Sequence, residues 1–366
     1  MAKYDPFTRG PHPVGVRSES WLDSARNREL PVEIWYPATS NYTGADTDPA
    51  RQDTFPAVWT AGDDTTPPPM RQAAVRDATP AALPGRFVLF THGYAGHRRE
   101  GTYLCTHLAS HGYVVASADH MGYTSWEVDA RMNSGEPVDM SAQRHEMGVH
   151  RLGDVPFMVA EATKRGYATS GPVGVVGVSL GGFTAMIAPA VEPRVKVTIP
   201  LCPAGGASPI YPRDNEFKRL LDFDNWPSDT SCLHGVADRD SWLPLYGQLE
   251  MFGQIKTNKR MVILQNADHN HFCDDIDVAH AWFKDLTLAN VDYMGTDDAD
   301  WPAIARAIRP LEELTPPEAT YTLWRGVSVA QLDSVLKSSK KAARLLDRDL
   351  TSAAAAFGAR IVTFSA

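Results

Sequence analysis

The chain has 366 residues, 43% of them hydrophobic, and carries 44 acidic against 35 basic side chains for a formal charge of −9. That length and apolar content can bury a large core, as one big α/β unit or as two domains, and exclude a disordered chain. The charges are scattered, and no Lys/Arg run could neutralise a phosphate backbone, so nucleic acid is not an expected partner.

The opening stretch MAKYDPFTRGPHP lacks an apolar signal-type segment, and no window approaches the ~18 continuous apolar residues that a membrane span needs. The expectation is an unexported, cytoplasmic protein with no integral membrane segment. Cys105, Cys202, Cys232 and Cys273 lie far apart and form no CxxC, so they read as buried free thiols.

In chain order, VGVRSESWLDSARNRELPVEIWYPA reads as two antiparallel strands joined by a polar turn. Residues 38–85 are polar and proline-rich, which suggests a long surface connection with one short helix. Apolar runs then alternate with helical patterns. The strands are read at 86–93, 113–119, 172–178, 195–201, 230–235 and 260–267, with helices after the first two ending at Gly112 and Gly166. Val/Ile/Leu-rich strands in βα alternation belong to a mostly parallel sheet with helices on both faces. Residues 291–320 read as a second excursion. One helix is expected over SVAQLDSVLKSSKKAARLLDRDL, with Leu332, Val335, Leu336, Leu345 and Leu346 on one stripe. No repeat or clean linker divides the chain, which reads as one domain over 1–366.

The chemistry begins at Gly177-Val178-Ser179-Leu180-Gly181. Four β-residues run directly into a helical segment, which places Ser179 on the corner between strand and helix. The flanking glycines remove Cβ atoms that would clash across so tight a turn. That corner projects from the carboxyl edge of the sheet, where ligands of open α/β sheets bind, and the helix behind it presents N–H groups to developing negative charge.

A serine nucleophile needs a base, and the base an orienting acid, expected in the order Ser, Asp/Glu, His at the ends of later strands. GVADRDSWLP supplies Asp238 and Asp240. Asp238 is preferred because it is nearer the strand end, and the other is read as a helix cap. DHNHFCDD supplies His269 as base, with His271 as a packing or binding residue. The loop FTHGYAGHRRE supplies Tyr94 N–H to pair with Leu180 N–H as an oxyanion hole, while His92 is a candidate to line the substrate pocket and is expected to hold the loop by a hydrogen bond rather than to take part in catalysis. Pocket walls are expected from DHMGYTSW, with His120, Tyr123 and Trp126, and from residues 203–217. Asp119 and His120 serve equally as loop anchors.

These segments, together with LPVEIWYP and THLASHGYVVASADH, resemble the α/β-hydrolase superfamily over about residues 10–285, in particular the dienelactone-hydrolase-like group that includes plasma-type platelet-activating-factor acetylhydrolases and related bacterial esterases. The resemblance implies an α/β-hydrolase fold, an oxyanion hole from Tyr94 and Leu180, and a base at His269 in an H-x-x-F-x-D pattern. It departs at IPLCPAGG, which lacks the carboxylate that the plasma enzymes place after the strand following the nucleophile. That returns the acid to Asp238 or Asp240. Dienelactone hydrolases use a cysteine nucleophile, whereas this chain has Ser179. The implied substrates are small-molecule esters: short acyl esters, lipid-like phospholipids or polyesters.

The sequence therefore points to a serine carboxylic-ester hydrolase with no cofactor and no metal, the His/Asp cluster at 268–275 being the base and its neighbours. An amidase or peptidase with the same triad and a non-catalytic ligand-binding protein on the same scaffold remain as rivals.

Overall fold

In the computed structural model, residues 4–56, 69–81, 83–134, 139–281, 283–293 and 299–365 are described. Strand β1 (Val14–Asp23) folds back on β2 (Arg28–Pro37) in an antiparallel hairpin whose register runs from Val14 opposite Pro37 to Asp23 opposite Arg28. The connection that follows holds a small antiparallel pair, β3 (Asp53–Phe55) and β4 (Met70–Gln72), and a short β5 (Val75–Arg76) laid parallel on β1. In place of the one short helix expected there, two single helical turns stand at Ser40–Tyr42 and Ala45–Thr47.

The centre of the sheet is parallel. It comprises β6 (Arg86–Thr91), β7 (Tyr113–Ala118), β8 (Val173–Val178), β9 (Val195–Leu201), β10 (Ser231–Ala237) and β11 (Asn258–Leu264). With the terminal β12 (Ile361–Ser365), the ten-stranded order is β12-β11-β10-β9-β8-β6-β7-β2-β1-β5. β12 joins β11 antiparallel, and β2 joins β7 antiparallel. Connections leave β6 in one direction toward β7 and resume in the other from β8, so the carboxyl ends of β6 and β8 flank the topological switch point.

Alternate strand residues serve opposite layers, as a two-sided sheet requires. Phe90, Val176, Val178, Ile199 and Leu201 join one core with Leu104 and Leu108 of α1 (Thr102–Ser110) and Trp324 of a late helix. Leu89, Ala116, Val173 and Val175 join the other core. There they meet Val155, Met158 and Val159, which lie on a 25-residue helix. The helices between α1 and the site are α2 (Ser125–Ser134), that long α3 (Met140–Lys164), α4 (Leu180–Val191), α5 (Glu216–Leu220) and α6 (Leu245–Gln254).

After β11 come α7 (Ile276–Ala281), α8 (Phe283–Tyr293), α9 (Trp301–Ala307) and α10 (Pro317–Leu336). The single helix expected over SVAQ…DRDL is broken. α10 ends at Leu336, Ser338 turns through φ +50°, and Ser339 caps a new start at α11 (Lys340–Arg344), followed by a wide turn and α12 (Leu350–Ala356). Of the 291–320 excursion, residues 294–298 lie outside the described residues, as do 57–68 of the first.

Candidate active site

Ser179 stands between β8 and α4 at φ 57°, ψ −115°, a conformation costly for a residue with a Cβ. The turn is held at both sides: Ser179 N–H donates to Leu201 O at 2.9 Å, and Ser179 O accepts from Phe183 and Ala204 N–H, each at 3.0 Å. The flanking glycines are dictated by space. A Cβ at Gly177 would lie 2.1 Å from Gly181 O, and one at Gly181 would lie 1.9 Å from Thr91 O. β6 and the corner therefore touch backbone to backbone, and Thr91 Oγ–H seals the contact by donating to Gly181 O at 2.8 Å.

His269 follows β11 in a single 3₁₀ turn (His269–Phe272) capped by Asp268, whose Oδ1 accepts His269 N–H at 2.7 Å. Its Nε2 lies 3.1 Å from Ser179 Oγ and its Nδ1 lies 2.8 Å from Asp240 Oδ2. A carboxylate only accepts, so in the neutral imidazole the ring proton sits on Nδ1 and Nε2 receives the serine O–H. Asp240 is itself fixed, because its other oxygen accepts Leu243 N–H at 2.7 Å and Trp242 N–H at 3.0 Å.

The carboxylate at the imidazole is thus Asp240 and not Asp238. β10 runs to Ala237, two residues beyond the expected strand end at Gly235, and the loop that turns toward His269 begins correspondingly later. Asp238 instead ties the ends of β10 and β11 together, with its N–H on Leu264 O at 3.0 Å and its Oδ1 accepting Ala267 N–H at 3.3 Å.

Burial opposes charge on His269, but the Asp240 carboxylate, with Cys202 beside the ring, outweighs it and lifts the imidazole well above its ordinary range. Trp242 and Phe283 lie against the ring, with centroids at 5.7 and 6.2 Å, and leave its side chain about one-tenth exposed. Cys202, buried just past β9, is nearby. Its Sγ, a His269 ring nitrogen and an Asp240 oxygen lie within 4.8 Å of one another, a donor set that suits a soft divalent cation. Burial pushes the Cys202 thiol up, away from the thiolate that such a cation prefers.

The loop after β6 packs against the serine: a Cβ at Gly93 would lie 3.4 Å from Ser179 Cβ. His92 is buried beneath it, donating from Nδ1 to Gly93 O at 2.7 Å and accepting His120 N–H on Nε2 at 3.0 Å. His120 in turn donates to Asp154 Oδ2 at 2.8 Å, and burial lowers it to about 4. His271 accepts Asp268 N–H and donates to Thr315 O. These three histidines brace loops and do not line the pocket. Nor does Trp126, 44% exposed on α2, or Tyr123, which is buried in the same apolar cluster as the lining residues without lining the cavity itself.

Beside Ser179 lies an apolar cavity of about 50 Å³. Ile210, Tyr211 and Phe217, from the expected 203–217 segment, line it with Tyr94, Trp242 and Met147. The α3 contribution, which includes Met140 and Arg144, escaped the sequence reading because α3 was visible only as a sheet-covering helix. Arg144 is neutralised by Glu216 at 2.7 Å, so the wall carries no open charge from it. A larger groove of about 530 Å³, lined by Gly85, Arg86 and Pro172, lies at the amino ends of β6 and β8, away from this chemistry.

Residues 64–131, which include β6, the loop after it, α1 and β7, match the family described as platelet-activating factor acetylhydrolase, isoform II. The chain is similar in structure to a ferulic acid esterase from Streptomyces cinnamoneus, with 22% identity and a TM-score of 0.59 over 95% of this chain and 96% of that one. At that identity the likeness is one of fold, and the fold is of the α/β-hydrolase type. No curated protein matches the chain.

Proposed function

We propose that this α/β-hydrolase-type chain is a serine carboxylic-ester hydrolase that acts through an acyl-enzyme, with Ser179 as nucleophile, His269 as base and Asp240 as the acid that orients it. The observation that carries the reading is the unbroken hydrogen-bond chain Ser179 Oγ, His269 Nε2 and Nδ1, Asp240 Oδ2, at 3.1 and 2.8 Å, on the carboxyl edge of the sheet. The partial family match and the esterase fold neighbour support it.

Ser179 Oγ attacks the ester carbonyl carbon while its proton passes to His269 Nε2. The imidazolium is stabilised by Asp240, and the carbonyl oxygen, now an anion, takes the N–H groups of Tyr94 and Leu180. Collapse breaks the bond to the alcohol, which leaves with the proton from His269. Water then attacks the acyl-serine with the same proton movements, releases the acid and restores Ser179.

The apolar cavity supports a reading of the substrate class: its narrow part beside Ser179, about 50 Å³, suits a short acyl group better than a long one. The test is a p-nitrophenyl ester series from acetyl to decanoyl on wild type and Ser179→Ala. Turnover that peaks at short acyl groups and is lost in the variant is expected. Hydrolysis that survives Ser179→Ala would remove the assignment, and ligand affinity without wild-type turnover would favour a binding protein on the same scaffold.

A further inference from the structure

Glu100 links the two loops on which the proposed hydrolase reaction depends. Its Oε2 accepts the Gly93 N–H at 2.6 Å. Space is made for that carboxylate: a Cβ at Gly96 would lie 2.8 Å from Oε2, and one at Gly93 would lie 3.3 Å from Oε1. Neither glycine adopts positive φ, so backbone conformation does not require them here. A side chain at either position would instead press on the Glu100 carboxylate and push it from its place.

The main chain of Glu100 faces the other loop. Its carbonyl accepts the Asp274 N–H at 2.9 Å, five residues past His269. Asp274 in turn caps the start of α1, its carboxylate accepting Thr102 N–H at 2.7 Å and Tyr103 N–H at 2.9 Å. The helix cap is therefore already supplied by another residue, and the Glu100 side chain is committed to the loop between His92 and Tyr94.

Burial lifts the Glu100 carboxyl to about 7, against the Gly93 N–H, Arg151 and His269, which favour the charged form, and with Asp274, which disfavours it. Near neutrality the group thus offers an acceptor oxygen with a reduced charge, which suits a position close to a developing oxyanion.

We propose that Glu100 is a positioning residue for the oxyanion loop: by holding the Gly93 N–H it fixes the peptide that follows, whose N–H belongs to Tyr94, against Ser179, and through the Asp274 amide it ties that loop to the one bearing His269. The proposal rests on the hydrolase reading for its kinetic consequence, though its structural consequence can be measured without turnover. The role depends on reach and on an acceptor oxygen, and a full negative charge is not required.

Three variants separate these properties. Glu100→Gln keeps the length and an acceptor oxygen, Glu100→Asp keeps the acid but shortens it by one methylene, and Glu100→Ala removes both. With rates normalised by end-point active-site titration with an organophosphonate, Glu100→Ala and Glu100→Asp are expected to lose about 10- to 100-fold in kcat with KM within about threefold, as for a weakened oxyanion donor. Glu100→Gln should retain most of kcat. Amide exchange across residues 92–96 should quicken in the Ala and Asp variants and stay slow in Gln.

If Glu100→Ala fails to fold, the Asp and Gln pair still decides. Wild-type kcat in Glu100→Asp with slow exchange at 92–96, or a loss in Glu100→Gln equal to that in Glu100→Asp, would overturn the proposal. Absence of wild-type turnover would instead remove the hydrolase reading, and the exchange pattern alone would then decide whether Glu100 holds the loop.

Discussion

Asp240 and His269 stand on neighbouring loops at the carboxyl ends of β10 and β11 and meet at 2.8 Å through Oδ2 and Nδ1. Only one oxygen of Asp240 is used there, because the other is pinned by the amides of Trp242 and Leu243. The contact therefore has a fixed direction as well as a length. An amide at this position would keep its oxygen on those two N–H donors and turn its NH₂ toward Nδ1, which favours the wrong imidazole tautomer. Asp240→Asn is expected to lower kcat by about 10³- to 10⁴-fold with little change in fold. Asp238→Asn, which alters only a 3.3 Å contact to the Ala267 amide, should stay within about threefold of wild type. Steady-state kinetics of the two variants decide between the carboxylates, and the reverse pattern would return the role to Asp238.

The same pair sets the dependence on pH. Burial alone would lower the His269 pKa, and Asp240 raises it above the ordinary 6.5. The base must be neutral to accept the Ser179 proton, so activity is low below that raised value and increases as pH climbs through it. A kcat/KM profile should show an acid limb with its midpoint above 6.5, and Asp240→Asn should move the limb to lower pH. A wild-type limb below 6.5 would contradict this account of the imidazole.

Ser179 was legible because its signal is local: the two glycines answer to contacts at 1.9 and 2.1 Å that any such corner must relieve. His269 was legible because it directly follows a hydrophobic strand. Asp240 was less so, since strand ends are uncertain by about two residues and the choice between 238 and 240 depends on that margin. The pocket wall was legible where a single loop supplies it, at Ile210, Tyr211 and Phe217. It was hidden where α3 supplies it, because helical periodicity reports that a face is buried without saying against what. The edge strand β12 offers only five residues, of which Val362 and Phe364 are exposed, so it lacks the buried run that marked the central strands. Position 338 gave no glycine or proline to announce the break in the last helix.

Cys202 adds a sulfur donor beside the pair, yet both ring nitrogens of His269 are already engaged, by Asp240 and by Ser179. A cation held by Cys202, Asp240 and His269 would have to take the place of a hydrogen bond that the proposed mechanism uses. Dialysis against EDTA is therefore expected to leave kcat unchanged. Loss of turnover on chelation, restored by added Zn²⁺, would show instead that the cluster holds a functional metal.

Selectivity for the acyl group should depend on Phe217. Its ring packs 5.1 Å from Phe183 and 6.3 Å from Tyr211, at the wall of the cavity beside Ser179. Truncation removes apolar volume where the distal carbons of a longer acyl chain would lie. Because one methylene is worth about 10-fold or more in discrimination, Phe217→Ala is expected to raise the octanoate-to-acetate ratio of kcat/KM by at least about tenfold. Phe217→Trp adds volume at the same wall and should move the ratio the other way. Truncating a packed phenyl costs about 3–5 kcal/mol where the ring is fully buried, so the melting temperature should be followed and the ratio read well below it. Trp126, exposed on α2 and absent from the wall, serves as the control, and Trp126→Ala should leave the ratio unchanged. A chain-length profile that responds to Trp126 and not to Phe217 would place the acyl group along α2 instead of in the cavity.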